Sequence, residues 1–372
     1  MTALDPKLQA KPTWAPLLQQ VARSFALSVR VLPDVLRRPV ALGYLLARAS
    51  DSIADSIDHL SSDGSSTDLR LQALNELHRA IQTVAAGEAP PLALQATMQC
   101  LEGVPEAAER ALLRRLPDCL LGLSHLSQDD RRLLARVCDT IISGQQLDLN
   151  RFGGGPTTLR ALDDEAQYND YTWRVAGCVG LFWTDLAEAH VPDWRQADLA
   201  AMQEAGCRYG MGLQRLNLLR DSAHDLAQGR CYWPRSQLAL VGLDASKLAL
   251  AVAGRDAAVL AQMAPCLNDS MDKIRSDLTL GLAYALAVRP WRLRLASALP
   301  ALIGLRTLQA LERAGPMALT EPVKVPRAWV RGLLMRLCLG GLTTPGLRAL
   351  GRALGVNRPI DLSGRRDGTM AS

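Results

Sequence analysis

The sequence predicts an all-α protein, and three of its features support that prediction. Leu, Ala and Arg favour helices and are abundant, whereas aromatic residues make up only 4% of the chain. Runs of β-branched residues are short, and no segment alternates apolar and polar residues as a half-buried strand would. The 372 residues are enough to bury a large core. We therefore expect one large helical domain with appended ends.

The predicted helices of the N-terminal half are bounded by residues that break helices. Pro33 ends the first, a polar loop at 61–67 ends the second, and the Gly- and Pro-containing run at 87–91 ends the third. Glycines and a proline at 153–156 end the sixth. Such glycines can cradle a phosphate, but no strand precedes them, which favours a simple turn. The predicted helices are 17–32, 39–57, 69–86, 92–101, 106–113 and 130–152.

The C-terminal half continues in the same helical pattern. Its predicted helices are 164–189, 198–227, 245–264, 267–287, 291–314 and 327–339. The Gly- and Arg-rich end of the chain lacks the apolar residues of a core and is predicted to be disordered. The expected organisation is an N-terminal extension at 1–15, a main domain at 16–320, a C-terminal helical extension at 321–355 and a disordered tail at 356–372.

Composition and charge limit the classes of function. The net charge of +5 is mild and no basic stripe is interleaved with aromatic residues, so we expect no nucleic-acid binding. The eight cysteines lie singly, without metal-site spacing, as is typical of reduced thiols in a cytoplasmic protein. The N-terminus has no apolar signal-peptide core. Arginines interrupt the most apolar stretches, 293–311 and 328–350, so neither is predicted to span a membrane.

Two aspartate pairs dominate the polar pattern. Asp51 and Asp55 form the first pair, and Asp221 and Asp225 form the second. The four-residue spacing places both carboxylates of a pair on one helical face. Spacing alone is a weak signal, because about two such pairs arise by chance in a chain of this composition. The neighbouring residues strengthen it, since Arg48 shares the face of the first pair.

The second pair belongs to a longer polar face. Its members recur at i, i+3, i+7 and i+11, and they are Gln214, Asn217, Asp221 and Asp225. Such a face is costly to bury unless a cation or water satisfies it, and hard oxygen donors suit Mg²⁺. Arg48, Arg220 and Arg230 could then bind a diphosphate through bidentate hydrogen bonds. The alternative is a pair of solvated helix faces whose charges form salt bridges.

Four segments, in order, resemble motifs of the squalene/phytoene synthase family, the head-to-head trans-isoprenyl diphosphate synthases. The segment VARSFALSVRVLP resembles its N-terminal Ser-Arg-Ser-Phe motif, and GYLLARASDSIADS resembles its first aspartate-rich motif. The segment YTWRVAGCVG is similar to its Tyr-x-x-Tyr-Val-Ala-Gly-x-Val-Gly helix, and LQRLNLLRDSAHDLAQGRCYWP is similar to its second aspartate-rich motif. The resemblance covers most of residues 15–320.

The resemblance implies an isoprenoid synthase fold, a single helical bundle whose two aspartate motifs face each other across a central cavity. It implies Mg²⁺, or Mn²⁺ in its place, that binds prenyl diphosphates and stabilises the departing diphosphate as an allylic cation forms. The implied metal ligands are Asp51, Asp55, Asn217, Asp221 and Asp225. The implied substrate-binding residues are Arg23, Ser24, Phe25, Arg48, Gln214, Asn217, Arg220 and Arg230.

Other residues are interpreted through the same motifs. Tyr171 is a candidate for abstracting a proton or stabilising a cation, and the alternative is a core tyrosine bonded to a neighbour. Gly177 and Gly180 are expected to let a prenyl chain approach the backbone closely. Two positions depart from the family pattern and bear on substrate orientation. Arg174 stands where the helix motif has its second tyrosine, and His224 replaces an acidic residue of the second aspartate motif.

Within the family, two features favour squalene synthases, bacterial ones above all. They are the Trp233-Pro234 ending of the second motif and the Val323-Lys324 pair. Such an enzyme condenses two farnesyl diphosphates to presqualene diphosphate and uses NADPH to form squalene. No dinucleotide-binding glycine motif follows a strand, so the NADPH site is not identified. The open alternatives are a phytoene or dehydrosqualene synthase, an enzyme that stops at presqualene diphosphate, and a non-catalytic helical scaffold.

We expect a cytoplasmic monomer that contacts the inner face of the membrane peripherally. The substrate has a long apolar tail, so a membrane surface should lie near the cavity mouth. The arginine-bearing apolar region 328–350 is the expected contact.

Overall fold

The computed structural model describes residues 15–22, 25–56, 65–91, 93–153, 158–357 and 362. Helices make up nearly all of their regular structure, which confirms the predicted all-α class. The chain divides into two compact units, Met1–Asn150 and Arg151–Ser372. One main domain with appended ends stays a prediction. The expectations for residues 23–24, 61–64, 154–156 and most of the tail lie outside the described residues.

The first unit consists of eight helices in the part of the chain that the structure describes. A 3₁₀ turn, Cys100–Gly103, follows the fifth of them. The helices are α1 (Ala15–Val21), α2 (Phe25–Val31), α3 (Asp34–Ala54), α4 (Ser65–Ala85), α5 (Gln95–Gln99), α6 (Ala107–Arg114), α7 (Leu116–Ser124) and α8 (Gln128–Phe152), whose last two residues belong to the second unit.

Several boundaries in the first unit differ from prediction. The predicted helix 17–32 is two helices, α1 and α2. Helix α3 begins five residues before the predicted start, because Pro39 is accommodated inside it. Helix α4 starts at Ser65, so the end of the predicted loop 61–67 is helical. Helix α7 was not predicted; Pro117 lies in its first turn, where proline removes no intrahelical hydrogen bond.

The second unit contains eleven helices and two short strands among its described residues. A π-helical segment, Trp173–Gly177, joins the first two helices. The helices are α9 (Glu165–Thr172), α10 (Cys178–His190), α11 (Leu199–Arg220), α12 (Ser222–Ala227), α13 (Arg235–Leu240), α14 (Ala245–Gly254), α15 (Ala257–Gln262), α16 (Ala264–Ala287), α17 (Trp291–Ala314), α18 (Arg327–Arg336) and α19 (Thr344–Ala353).

The strands are β1 (Arg160–Ala161) and β2 (Arg230–Cys231), which pair in parallel with Arg160 opposite Arg230. They are the exception to the all-helical prediction, and two residues are too few to show a strand's alternation. Helix α13 was also not predicted, and α19 lies in the predicted C-terminal helical extension 321–355, where only the helix 327–339 has predicted bounds. No helix of the described residues is both long and apolar enough to cross a membrane.

Helix α11 lies at the centre of the second unit, against α10, α16 and α17. Glycines bring α10 and the π-helical segment before it into backbone contact with α11. A Cβ atom on Gly180 would lie 1.9 Å from the carbonyl oxygen of Gly206, and one on Gly210 would lie 2.3 Å from that of Ala176. The expectation that Gly177 and Gly180 admit a prenyl chain is therefore wrong for Gly180, because helix α11 occupies that space.

A buried ion-pair network joins α11 to α16 on another side. Asp277 of α16 is 1% exposed, and its Oδ1 accepts hydrogen bonds from Arg208 Nε at 3.1 Å and Nη2 at 3.0 Å. Its Oδ2 accepts from Arg215, whose Nη2 also donates to Asn169 Oδ1 at 2.8 Å. Since a buried carboxylate is stable only when it is paired, this network fixes the rotation of α11 about its axis.

Candidate active site

The first aspartate face lies in the first unit, at the C-terminal end of α3. Asp51 is in the last turn of the helix, and Asp55 follows the helix as its C-cap. The Asp55 N–H donates to the Asp51 carbonyl oxygen at 2.8 Å, so the four-residue spacing still places both side chains on one face. Arg48 shares this face, with Nη1 3.8 Å from Asp51 Oδ2. Asp55 is exposed, and 43% of the Asp51 side chain is exposed.

Two neighbouring helices add partners that the sequence did not single out. Glu109 of α6 accepts a hydrogen bond from Arg48 through Oε1 and one from Ser52 Oγ, at 2.9 Å, through Oε2. Gln145 of α8 donates from Nε2 to Asp51 Oδ1. Glu109 and Gln145 come from helices far along the chain, and no spacing rule connects them to the aspartate pair. Arg48 is therefore held between a predicted and an unpredicted carboxylate.

The electrostatics of this face favour a bound cation. The pKa of the Asp51 carboxyl is raised to about 7, because the surrounding protein displaces much of its water; Arg48 opposes this shift and Asp55 reinforces it. Burial lowers the pKa of the Arg48 guanidinium, but Asp51 and Glu109 more than offset that effect and raise it. A cation between Asp51 and Asp55 would relieve their repulsion and favour both ionised forms.

The donor atoms of the first face suit a hard metal ion. Its groups are carboxylate and amide oxygens, and the buried Gln145 Oε1 has no hydrogen-bond partner. Among the residues that the structure describes, no group of three or more His, Cys, Asp or Glu side chains is arranged to hold a metal by itself. Mg²⁺ does not require such a group, because it is usually held by one or two carboxylates, waters and substrate phosphates. The residues present therefore fit Mg²⁺ that binds together with a diphosphate.

The second aspartate face lies in the second unit, where α11 meets α12. The predicted continuous helix 198–227 is interrupted at Asp221, whose φ of −99° and ψ of 10° end α11. The i→i−4 hydrogen bonds nevertheless continue, from the Asp221 N–H to Asn217 at 2.9 Å and from the Asp225 N–H to Asp221 at 3.0 Å. Gln214 lies one turn earlier and accepts a weak hydrogen bond from Asn217 Nδ2 at 3.5 Å. The four predicted residues thus share one face.

Arginines accompany this second face. Arg220 forms a bidentate ion pair with Asp221, in which Nε donates to Oδ1 at 2.8 Å and Nη2 donates to Oδ2. This hydrogen bond is the main reason that the pKa of Arg220 is raised. Arg230 lies on β2 beside Arg160 of β1, so two cationic residues are neighbours in the strand pair. His224, the departure from the family pattern in this motif, is exposed.

Tyr171 belongs to an aromatic cluster in the second unit. Its ring stacks on that of Tyr232 with centroids 5.0 Å apart, and the Tyr232 hydroxyl donates to the Tyr171 hydroxyl at 3.4 Å. Phe152 meets Tyr232 edge-on at 5.3 Å, and Leu162 and Leu218 complete the cluster. Tyr171 is 9% exposed. The geometry matches a core tyrosine bonded to a neighbour, and the same stacked rings could stabilise a cation.

Arg174, the departure from the family pattern, lies in the π-helical segment after α9. Its Nε donates to both carboxylate oxygens of Asp170, at 2.9 and 3.0 Å. π-Helical turns often occur at functional sites, and this one starts two residues after Tyr171. An intrahelical ion pair therefore replaces the hydroxyl that the family motif supplies.

The structure places most of the predicted site residues in two groups. One group holds Arg48, Asp51 and Asp55, and the other holds Gln214, Asn217, Arg220, Asp221 and Asp225. The groups belong to different units, and their convergence on one cavity stays a prediction. Arg23 and Ser24 lie outside the described residues, and of Phe25 only the backbone, at the start of α2, is described.

Comparison with known proteins identifies the family. Residues 18–329 match the squalene/phytoene synthase family. The chain belongs to this family. It is 28% identical to squalene synthase ERG9 of Saccharomyces cerevisiae over 225 residues, and this aligned region covers 59% of this chain and 44% of that protein. It is 24% identical over 300 residues to the squalene synthase of Schizosaccharomyces pombe, 80% of this chain and 58% of that protein. The chain thus spans about half the length of these relatives.

Solved structures support the isoprenoid synthase fold. A complex of TcSQS with the ligand E5700 has a TM-score of 0.71 at 22% identity and covers 92% of this chain and 90% of that one. Squalene synthase HpnC from Alicyclobacillus acidocaldarius has a TM-score of 0.57 at 18% identity and covers 84% of this chain and 97% of that one. At these identities the likeness shows the fold alone.

Proposed function

We propose that this protein condenses two farnesyl diphosphates head to head and, with NADPH, converts the resulting presqualene diphosphate to squalene. The observation that carries the proposal is the complete second aspartate face, whose Gln214, Asn217, Asp221 and Asp225 stay aligned across the junction of two helices. A chain without chemistry to perform has no reason to keep such a face, which argues against a helical scaffold. The similarity to squalene synthases supports the choice of substrate.

In this proposal the residues that would hold Mg²⁺, or Mn²⁺, together with a diphosphate are Asp51 and Asp55 at the first face and Asn217, Asp221 and Asp225 at the second face. When bound, the metal neutralises the charge that develops on the departing diphosphate. The oxygen-only donors and the unpartnered Gln145 Oε1 support this assignment.

The arginines bind and orient the diphosphates. Arg220 is paired with Asp221, and a ligand that takes the Asp221 carboxylate frees the guanidinium to turn to a phosphate oxygen. Arg230, beside Arg160, contributes a second bidentate donor. Arg48 donates to Glu109 through Nη2, which leaves the hydrogens of its Nη1 for a phosphate oxygen. At the second face, substrate contacts thus replace an internal ion pair.

The aromatic cluster is proposed to stabilise and deprotonate the carbocation. Tyr171 and Tyr232 present stacked rings, and a cation over such a ring is attracted by its quadrupole. The Tyr171 hydroxyl accepts a hydrogen bond from Tyr232, so its own proton can pass to an oxygen of the released diphosphate as Tyr171 takes a proton from the cation. Leu162 and Leu218 pack around the rings and exclude water, which would otherwise quench the cation.

Product analysis tests the proposal. The purified chain is incubated with Mg²⁺ and either farnesyl or geranylgeranyl diphosphate, with and without NADPH, and both the hydrocarbon products and the prenyl diphosphates are identified by mass spectrometry. We expect squalene from farnesyl diphosphate with NADPH, and presqualene diphosphate or dehydrosqualene-type products without it. A forty-carbon phytoene product from geranylgeranyl diphosphate, with farnesyl diphosphate inert, would assign the chain to the phytoene synthases instead.

The expected setting of this activity is a cytoplasmic monomer in peripheral contact with the inner face of the membrane. The motivation is the apolar substrate and product, which partition into a bilayer. Gel filtration with light scattering measures the oligomeric state, and a dimer peak would contradict the monomer.

A further inference from the structure

The excess of basic over acidic residues in this chain lies near its C-terminus. Residues 322–360 contain seven of the 42 Lys and Arg residues and none of the 37 Asp and Glu residues, so the rest of the chain is slightly acidic. Five of the seven are exposed arginines of α18 and α19: Arg327, Arg331, Arg336, Arg348 and Arg352. No acidic residue in the described part of the chain forms an ion pair with any of them.

The turn between these helices and the end of α18 expose large apolar side chains. Leu339 is 87% exposed and Met335 is 64% exposed, which makes Leu339 the most exposed large apolar residue of those the structure describes. Gly340, with φ of +109°, allows the chain to reverse at this point. Scattered exposed apolar residues are ordinary, but two of them at the tip of a cationic turn form a patch that suggests an interaction.

The apolar and cationic residues are arranged on the outer side of the helix pair. Arg327, Arg331 and Met335 recur every four residues along one face of α18, and Leu339 follows in the turn. Arg348 and Arg352 have the same spacing on α19. The inner side of the pair is buried through Leu333, Leu337 and Leu347.

The helix pair packs closely on the rest of the second unit, so its outer side forms a fixed surface. Arg294 of α17 donates from Nη1 to the Leu342 carbonyl oxygen at 3.1 Å. Gly351 packs so closely on α16 that a Cβ atom there would lie 2.5 Å from Leu282. A Cβ atom on Gly346 would lie 2.6 Å from the carbonyl oxygen of Gly340, so α19 also packs on the turn.

We propose that α18, the turn 337–341 and α19 bind an anionic phospholipid bilayer in the plane of its surface. Met335 and Leu339 enter the apolar layer, and the exposed arginines contact lipid phosphates. A bilayer matches both parts of the surface, because it accepts a projecting apolar tip and supplies negative charge. An acidic protein would have to offer a groove for the tip, and it is the competing occupant.

Vesicle co-sedimentation of the full chain tests this proposal. We expect the chain to bind vesicles of phosphatidylcholine that contain phosphatidylglycerol and to dissociate from them as the salt concentration rises. It should not bind vesicles of phosphatidylcholine alone. The double variant Arg331→Gln/Arg348→Gln should weaken binding about thirtyfold, since each cation near an anionic surface contributes a factor of about 5. Leu339→Ser should weaken it about tenfold, because an apolar side chain no longer leaves water.

Matched controls come from exposed residues elsewhere. Leu240→Ser changes a leucine that is 83% exposed at the end of α13, and Arg132→Gln changes an exposed arginine of α8; neither should alter binding. Circular dichroism checks that every variant is folded. Failure of the wild-type chain to bind anionic vesicles, or equal losses in the control variants, would overturn the proposal. Retention on polyglutamate without binding to vesicles would assign the surface to an acidic protein. The assay needs no substrate, so it is independent of the reaction.

Discussion

Replacement of Gly180 by alanine tests how the second aspartate face is positioned. Gly180 brings α10 against α11, and α11 carries Gln214 and Asn217 of that face. A Cβ atom at position 180 would lie 1.9 Å from the carbonyl oxygen of Gly206 and 2.3 Å from its carbonyl carbon. Both sides of this contact are backbone, so no rotation of a side chain can relieve it.

The expected magnitude follows from these distances. Non-bonded heavy atoms settle about 3.5 Å apart, so the two helices must separate by more than about 1 Å. Overpacking of this kind costs about 3 kcal/mol, and the better helix propensity of alanine offsets about 1 kcal/mol of it. The net loss of about 2 kcal/mol should lower the melting temperature by about 4–8 °C for a unit of this size. A displacement of about 1 Å at a catalytic face can slow turnover a hundredfold.

Thermal unfolding by circular dichroism and diphosphate release from farnesyl diphosphate measure the two effects. Gly332→Ala is the matched control, because Gly332 lies inside α18 and nothing lies within 4 Å of a Cβ atom there. That substitution should raise stability by about 1 kcal/mol and leave activity unchanged. A Gly180→Ala variant that melts and turns over like the wild type would refute the packing argument.

Three further substitutions probe separate parts of the site. Asp277→Asn removes the buried charge that pairs with Arg208 and Arg215, and should lower the free energy of unfolding by about 3 kcal/mol in urea titration; an unchanged midpoint would contradict it. Tyr171→Phe keeps the stacked ring but removes the hydroxyl, and should slow presqualene diphosphate formation about a hundredfold in quenched-flow experiments without a change in melting; a wild-type rate would leave Tyr171 as a core residue. Arg230→Ala should raise the KM for farnesyl diphosphate with little change in kcat, because it removes a phosphate contact made in both the ground state and the transition state. A lower kcat at an unchanged KM would contradict this role.

The sequence predicts helices best where local signals mark both ends. The predicted helix 291–314 coincides with α17, because Pro290 precedes it and Gly315 follows it. The predicted helix 245–264 is instead two helices, α14 and α15, since Arg255 adopts a left-handed conformation, with φ of +53°, that its residue type does not favour. Breaks of this kind depend on tertiary contacts, which periodicity in one segment cannot show.

The aspartate faces could be predicted because their signals are local in sequence. Their hydrogen-bond partners could not, because they come from distant helices. Each pair is local in sequence, so helical spacing and the family motifs both identify it. Glu109 contacts Arg48 and Ser52, and Gln145 contacts Asp51, each from another helix; Glu109 lies 57 residues from Ser52, and Gln145 lies 94 residues from Asp51. Their role becomes apparent only when the chain is folded. The glycine of the Gly180 contact was identified from its motif, but its neighbour is a helix rather than a prenyl chain.

Metal-dependent ionisation of farnesyl diphosphate tests most directly whether the aspartate faces are catalytic. Diphosphate release is measured for the wild-type chain, for Asp221→Asn and for Asp272→Asn, which changes an exposed acid of α16 outside both faces. We expect release that requires Mg²⁺ or Mn²⁺ in the wild type and in Asp272→Asn, and none above background in Asp221→Asn, with the same helical circular dichroism in all three. Near-normal release from Asp221→Asn, or wild-type release that persists in the presence of a chelator, would contradict the assignment.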